Sequence, residues 1–223
     1  MILDRDIREP LFDFLEETYG KCRIFEEKVI GSARADVMMV VPGEIWGIEI
    51  KSDADSYARL FDQVKEYDLF FDRNIVAVGS SHALHVREHV PEYWGIISIE
   101  EADDVMKGKS GGDGLDFYIL RKAEKNPNMD ITHKMSLLWR PELAEIQERH
   151  GMPALKNLSK AAVRDRIIRD VDREYLARDI SFELFERDYS EIQDKINEYR
   201  TANGKKKRRR RKKIPNKKYR PGI

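Results

Sequence analysis

The sequence predicts an α/β protein, with helices packed on a mixed β-sheet, followed by an all-helical segment and a basic tail. Three observations predict it. Two apolar runs, residues 37–41 and 45–50, flank Pro42-Gly43 in the pattern of a β-hairpin. Further short apolar runs at 74–78, 94–99 and 115–120 are separated by helical periodicity or by turn residues. Beyond Asn126-Pro127-Asn128 the apolar spacing is helical, and beyond Gly204 lysine and arginine take over.

In order, residues 6–19 form an amphipathic helix with Ile7, Leu11, Phe14 and Leu15 on its apolar stripe, ended by Gly20. Residues 23–30 read as a strand. The hairpin follows, then a helix in which Tyr57, Leu60, Phe61, Val64 and Phe71 recur at helical spacing, with Ser52, Asp53 and Asp55 as N-cap candidates. Residues 74–78 are a short buried strand. His82, His85 and His89 then share the face of an expected surface helix. They lack the glutamate of a zincin motif, so a metal site there is not expected. Strands at 94–99 and 115–120 enclose a Gly-rich loop at 100–114, whose Gly-Lys-Ser lacks the context of a phosphate loop. The domains expected are 1–126, a helical module at 131–200 and a disordered tail at 204–223. The helices of the module start near 132, at Ser159 and near 180. Two of them around an extended loop resemble the SAP-type nucleic-acid-binding module.

The hairpin places chemistry. A loop of even length centred on Pro42-Gly43 pairs residues whose numbers sum to 85, setting Asp36 across from Glu49, with Cβ atoms ~4.5–5.5 Å apart. Side chains alternate along a strand, so Glu49 and Lys51 share a face while Trp46, Ile48 and Ile50 take the other. An odd loop would slip the register and undo the pairing. In the next helix Arg59, Gln63 and Tyr67 lie one turn apart on one side. Asp36, Glu49 and Lys51 also fit a plain hairpin ion pair, and Gln63 and Tyr67 a solvated helix edge.

The order Asp36, then Glu49-Ile50-Lys51, then Gln63 and Tyr67 resembles the PD-(D/E)xK nuclease superfamily over about residues 6–140. The Gln-x-x-x-Tyr helix is similar to that of its RecB-like branch. The stretches RADV, GIEIKSD, RLFDQVKEYD and PEYWGI are similar to a family of bacterial and phage proteins. The resemblance implies a restriction-endonuclease-like α/β/α sandwich and hydrolysis of DNA to a 5′-phosphate. It implies Mg²⁺ (or Mn²⁺) held by Asp36 and Glu49, catalysis by Lys51, and positioning by Gln63 and Tyr67. Glu27 is a further metal candidate. The acid of the superfamily's first motif is open among Asp6, Glu9 and Glu27.

The net charge of zero conceals an asymmetry. Residues 205–223 hold twelve lysines and arginines and no acid, leaving 29 basic against 41 acidic residues in the remainder. Lys205, Lys206, Lys207, Arg208, Arg209, Arg210 and Arg211 are therefore expected to hold polyanions. Arg34 and Arg59 near the hairpin, and Lys156, Lys160 and Arg164 in the helical segment, are further candidates for phosphate contact. Cys22 is the single cysteine, which excludes an internal disulfide and a cysteine zinc site. No apolar run reaches membrane-spanning length, and the expected location is cytoplasmic. The expected function is a metal-dependent nuclease acting on DNA, with RNA left open. The rival is a non-catalytic nucleic-acid-binding or assembly protein that keeps the fold.

Overall fold

A six-stranded mixed sheet in the strand order β1-β2-β3-β4-β5-β6 forms the centre of the computed structural model. The structure describes residues 4–53, 55–102 and 114–188, and Glu198. The strands are β1 (Arg23–Ile30), β2 (Ala33–Val41), β3 (Glu44–Lys51), β4 (Arg73–Gly79), β5 (Gly95–Glu101) and β6 (Leu115–Arg121). Pairing is antiparallel except for β3–β4 and β4–β5, which are parallel. A parallel pair needs a crossover. Helix α2 (Leu60–Phe70) supplies the first. The second, residues 80–94, is not the helix expected from the histidine spacing. It is a run of turns with one 3-10 turn, Val86–Glu88. Tyr57 organises it instead, stacking on His89 at 4.2 Å and donating its hydroxyl to the His82 carbonyl.

The hairpin register is the one the sequence predicts. Val41 pairs with Glu44, Val40 with Ile45, and so on to Val37 with Ile48, each pair summing to 85. The connecting turn is two residues long, and Gly43 takes φ of 83°, as the third position of a type II turn requires.

Helix α1 (Asp4–Tyr19) covers one face of the sheet. Its Ile7, Leu11 and Leu15 pack on Val37, Met39, Trp46, Ile48 and Ile50. The other face carries α2 together with α3 (Ile131–Ser136), α4 (Arg140–Arg149), α5 (Lys160–Asp170) and α6 (Arg173–Phe185). The chain is thus an α/β protein with a mixed sheet between helical layers, plus C-terminal helices.

Two sequence expectations need correction here. Helix α6 starts at Arg173, well before 180, because Val171 is extended and Asp172 supplies a new start. The boundary at 126–131 is not a break in packing: residues 1–187 form one compact unit. Leu143, Ile146, Val163, Ile167, Leu176 and Ile180 share one apolar cluster with Met38, Val40, Phe70 and Phe71. Buried polar groups tie the two parts. Asn126 Nδ2 donates to the carbonyls of Asp68 and Phe71, at 2.8 and 2.7 Å. Lys134 is fully buried and pairs with Asp72 Oδ2 at 2.6 Å, an oxygen that also accepts from Ile45 N. Ser159 caps α5, as expected, and Pro141 stands in the first turn of α4, where its missing N–H costs nothing. The basic tail and the continuation of the third predicted helix past 188 lie outside the described residues, Glu198 apart.

Candidate functional site

The candidate constellation sits where β2 parts from β3 while staying paired with β1. Its antiparallel ladder with β3 ends at Val37–Ile48, whereas β3 stays paired with β4 as far as Lys51. On the other side the β1–β2 ladder skips the pair Glu27–Asp36 between Glu26–Val37 and Lys28–Ala35. Glu27 there has φ of 51°, the left-handed region that side chains avoid at a cost of roughly 1–2 kcal/mol. Asp36 therefore lies at an interruption in both ladders. Side chains satisfy its backbone instead: Asp36 N donates to the Tyr67 hydroxyl at 3.1 Å, and Arg8 Nη1 donates to its carbonyl at 3.4 Å. Its carboxylate in turn takes a place in the ladder, Oδ2 accepting from Ile50 N at 2.9 Å.

Glu49 is the hub. It is 1% exposed. Its Oε1 accepts from Lys51 Nζ at 2.6 Å and from Gln63 Nε2 at 2.5 Å. Its Oε2 accepts from the Tyr67 hydroxyl at 2.7 Å. Gln63 Oε1 accepts from Lys51 Nζ at 3.1 Å, so the amide bridges acid and lysine. Gln63 and Tyr67 reach these partners because they stand one turn apart on the face of α2 turned to β3. The five residues Asp36, Glu49, Lys51, Gln63 and Tyr67 thus form one connected network.

Two carboxylates share this site with one ammonium. Burial, and then the charge of Glu49, push the Asp36 carboxyl up to about 7, against the smaller opposing effects of Ile50 N–H, Lys51 and Arg8. Burial raises the Tyr67 hydroxyl well above its usual range, and Glu49 and Asp36 add to the rise, so it stays protonated as a donor. Among the described residues no donor faces Asp36 Oδ1.

Other predicted residues fall elsewhere. Glu27 is held by Arg8 at 2.7 Å and Arg34 at 2.5 Å. Among the described residues, no three acids, histidines or cysteines are grouped to hold a metal ion, so Asp6, Glu9 and Glu27 complete no such set. Arg34 pairs with Glu27, and Arg59 is exposed beside the start of α2. Ser52, Asp53 and Asp55 do not cap α2. Asp55 Oδ2 closes a turn by accepting from Ser52 N and Oγ, and Ser56 precedes the 3-10 turn Tyr57–Arg59 that leads into the helix. In the helical segment Lys156 is exposed, Lys160 Nζ donates to the Ser136 carbonyl at 2.9 Å, and Arg164 pairs with Asp165. The seven tail cations Lys205 to Arg211 lie outside the described residues.

Sequence reasoning missed two supporting residues. One is Arg8, which ties α1 to Glu27 and to the Asp36 carbonyl. The other is Gly47, where a Cβ would stand 2.2 Å from the Phe71 ring and 2.6 Å from the Tyr67 ring. Its absence lets α2 settle on β3 and brings Tyr67 to Glu49. A glycine inside an otherwise apolar strand was the available signal, since it marks close approach by a neighbour.

Compared with known families, residues 3–214 match the family model of bacteriophage P4 protein cII, nearly the whole chain. Comparison with curated proteins and with solved structures gave no match.

Proposed function

The chain belongs to the family of bacteriophage P4 protein cII, and we propose that it is a metal-dependent nuclease that hydrolyses DNA phosphodiester bonds. The observation that carries this reading is Glu49, buried at the end of β3 and bound at once by Lys51, Gln63 and Tyr67, with Asp36 on the parting strand beside it. A purely structural ion pair needs neither the glutamine bridge nor a second carboxyl held near neutrality.

The donor set fits a hard divalent cation. Asp36 and Glu49 offer carboxylate oxygens, no donor among the described residues faces Asp36 Oδ1, and the Asp36 carboxyl is raised first by burial and then by the charge of Glu49. Mg²⁺ or Mn²⁺ held there supplies Lewis-acid charge to a phosphodiester. The chain's own groups do the rest. Lys51 donates hydrogen bonds toward the attacking water or the phosphate and offsets negative charge as it develops. Gln63 holds that ammonium against Glu49, limiting its motion. Tyr67 and Ile50 N–H fix the two carboxylates in place. Arg34, exposed on β2, and Arg59, exposed beside the start of α2, contact the nucleic-acid backbone.

One observation favours a second reading. Both Glu49 oxygens are already engaged by protein donors, which suits a non-catalytic nucleic-acid-binding or assembly protein built on the same fold. Cleavage of labelled single- and double-stranded DNA, with RNA alongside, separates the two. Glu49→Gln is the variant of choice, since it keeps the shape, leaves Lys51 and Gln63 an oxygen to bind, and sets an amide N–H against the Tyr67 hydroxyl, which can accept it while donating to the Ile48 carbonyl. The nuclease reading expects divalent-dependent cleavage by the wild type, lost in Glu49→Gln and Lys51→Ala. Cleavage by Glu49→Gln at the wild-type rate discards it. Absence of cleavage from the wild type, with DNA binding retained, selects the second reading.

A further inference from the structure

A second site lies at the opposite end of the hairpin. A cavity of about 740 Å³ opens between the Pro42-Gly43 turn and α6, within the 300–1,000 Å³ common for ligand pockets. Val41, Pro42, Phe182 and Phe185 give it apolar walls. The turn is fixed there by Gly43 N, which donates to Ser181 Oγ at 2.8 Å, so the wall is preformed.

The rim is basic. Lys21 Nζ stands 5.2 Å from the Phe185 ring centroid and has no carboxylate partner among the described residues. Arg149 lies 5.0 Å from the Phe182 ring centroid, but its two terminal nitrogens are already held by Asp179 and Glu183, each at 2.7 Å. Arg178 is mostly exposed and, among the described residues, pairs with Glu174 on its own helix. The one acid lining the cavity, Asp179, is already bound by Arg149 at 2.7 Å and His150 at 2.6 Å. The positive charge left to a ligand at the lip is therefore that of Lys21 and of the exposed Arg178, beside aromatic surface.

The surface continues beyond the cavity. Phe182 is 54% and Tyr175 56% exposed, seven residues apart on one side of α6, about 10 Å along the helix. A small molecule would use the cavity and leave this stripe bare. A peptide uses both, setting an apolar side chain in the cavity and lying along the aromatic stripe.

We propose that the cavity and the α6 stripe form a docking site for an acidic protein segment carrying an aromatic or aliphatic anchor, with its carboxylates on Lys21 and Arg178. The site is distinct from the Glu49 network and does not depend on the nuclease reading. Among anchor-in-groove contacts, a buried apolar side chain ringed by charge is the usual source of most of the affinity.

Fluorescence anisotropy with the full chain tests it. The probes are a short labelled peptide in which Phe and Leu alternate with Asp and Glu, the same peptide with its apolar residues changed to Ser, and the same peptide with its acids changed to Lys. Labelled oligo-dT is the fourth. The first peptide is expected to bind at least about tenfold tighter than the other two, the scale of a lost anchor. Phe182→Asp and Arg178→Glu, both at exposed positions, are expected to remove that advantage, and Glu49→Gln to leave it intact. Equal binding of the Phe/Leu and Ser peptides overturns the proposal, because charge alone then suffices. So does an advantage that survives Phe182→Asp, or oligo-dT affinity that Phe182→Asp lowers as much as it lowers the peptide's.

Discussion

Replacing Asp36 with Asn tests the electrostatics of the site without requiring catalysis. The Asp36 carboxyl is raised to about 7 in the folded chain, from an ordinary value of 3.8. Above pH 7 the carboxyl is ionised in both the folded and the unfolded chain, and folding then carries the full cost of the raised value. Between 3.8 and 7 the folded chain keeps the proton while the unfolded chain releases it, so the cost shrinks as pH falls. Below 3.8 both are protonated and the cost vanishes. At ~1.4 kcal/mol per pH unit, it reaches about 4 kcal/mol at pH 8 and under about 2 kcal/mol at pH 5. Solvent reaching the carboxyl lowers both figures, so about 2–4 kcal/mol is expected at pH 8. Asn keeps an oxygen for Ile50 N–H and carries no charge. In chelator, Asp36→Asn is therefore expected to be more stable than the wild type at pH 8. The urea midpoint should rise by about 1 M, given a slope of about 2–3 kcal/mol/M for a chain of this size. The gain should narrow at pH 5. A variant less stable than the wild type at pH 8, or a gain equal at both pH values, refutes the charge argument.

Three other outcomes follow from particular contacts. Gly47→Ala sets a Cβ against the Phe71 and Tyr67 rings. It is expected to cost about 1–3 kcal/mol in chemical denaturation and to lower cleavage more than Gly43→Ala, where a Cβ meets open space and the cost is the backbone strain of a positive φ, far from the Glu49 network. Lys134→Ala leaves Asp72 buried without its cation and is expected to cost about 3–5 kcal/mol, with the sheet and the C-terminal helices unfolding in one transition. Two separated transitions in the wild type would restore the boundary at 126–131. Deleting residues 204–223 is expected to flatten the dependence of DNA affinity on salt. If about five phosphate contacts are lost, the slope of log K against log salt changes by about 4–5. An unchanged slope removes the tail from DNA binding.

The hairpin was legible because period-two patterning and a Pro-Gly turn fix register from local sequence alone. Once the turn is two residues long, the register carries Asp36 to the Glu49 end of β3, where its carboxylate accepts from Ile50 N, and Lys51 must share the Glu49 face. Gln63 and Tyr67 were legible as one helix face, but not the depth of Tyr67, since burial depends on Gly47 admitting the helix. The ladder interruption at Glu27 and Asp36 left no local mark: nothing in Phe25-Glu26-Glu27-Lys28 announces a left-handed residue. The histidine segment misled for a related reason. Three- and four-residue spacing fits a helix, yet stacking on Tyr57, distant in sequence, holds the chain in turns. The supposed module boundary failed because Asn126-Pro127-Asn128 reads as a linker. Its asparagine is in fact spent on buried carbonyls of the preceding helix region.

The chain buries acids in two different ways, and the contrast bears on the site. Asp68 accepts from Asn74, Trp94 and Tyr93, with both oxygens engaged by neutral groups of the surrounding core. Asp72 accepts from Lys134 and Ile45 N and joins α3 to β3. Each cluster spans elements that would otherwise separate, and its bonds account for its burial. The Glu49 cluster also spans elements, joining β3 to α2, and as a tie it would be complete with Lys51 and Tyr67 alone. Asp36 adds a second carboxyl that raises the cost of the first, beside a strand whose ladders on both sides are interrupted. Replacing a buried ion pair with well-packed apolar side chains is often neutral or stabilising, so stability gives no reason to keep such an arrangement. Strained backbone and like charges held together gather where a ligand repays them. On the nuclease reading proposed above, a divalent cation held by Asp36 and Glu49 would relieve the repulsion, and Lys51, held by Gln63, would stand beside the anion it binds.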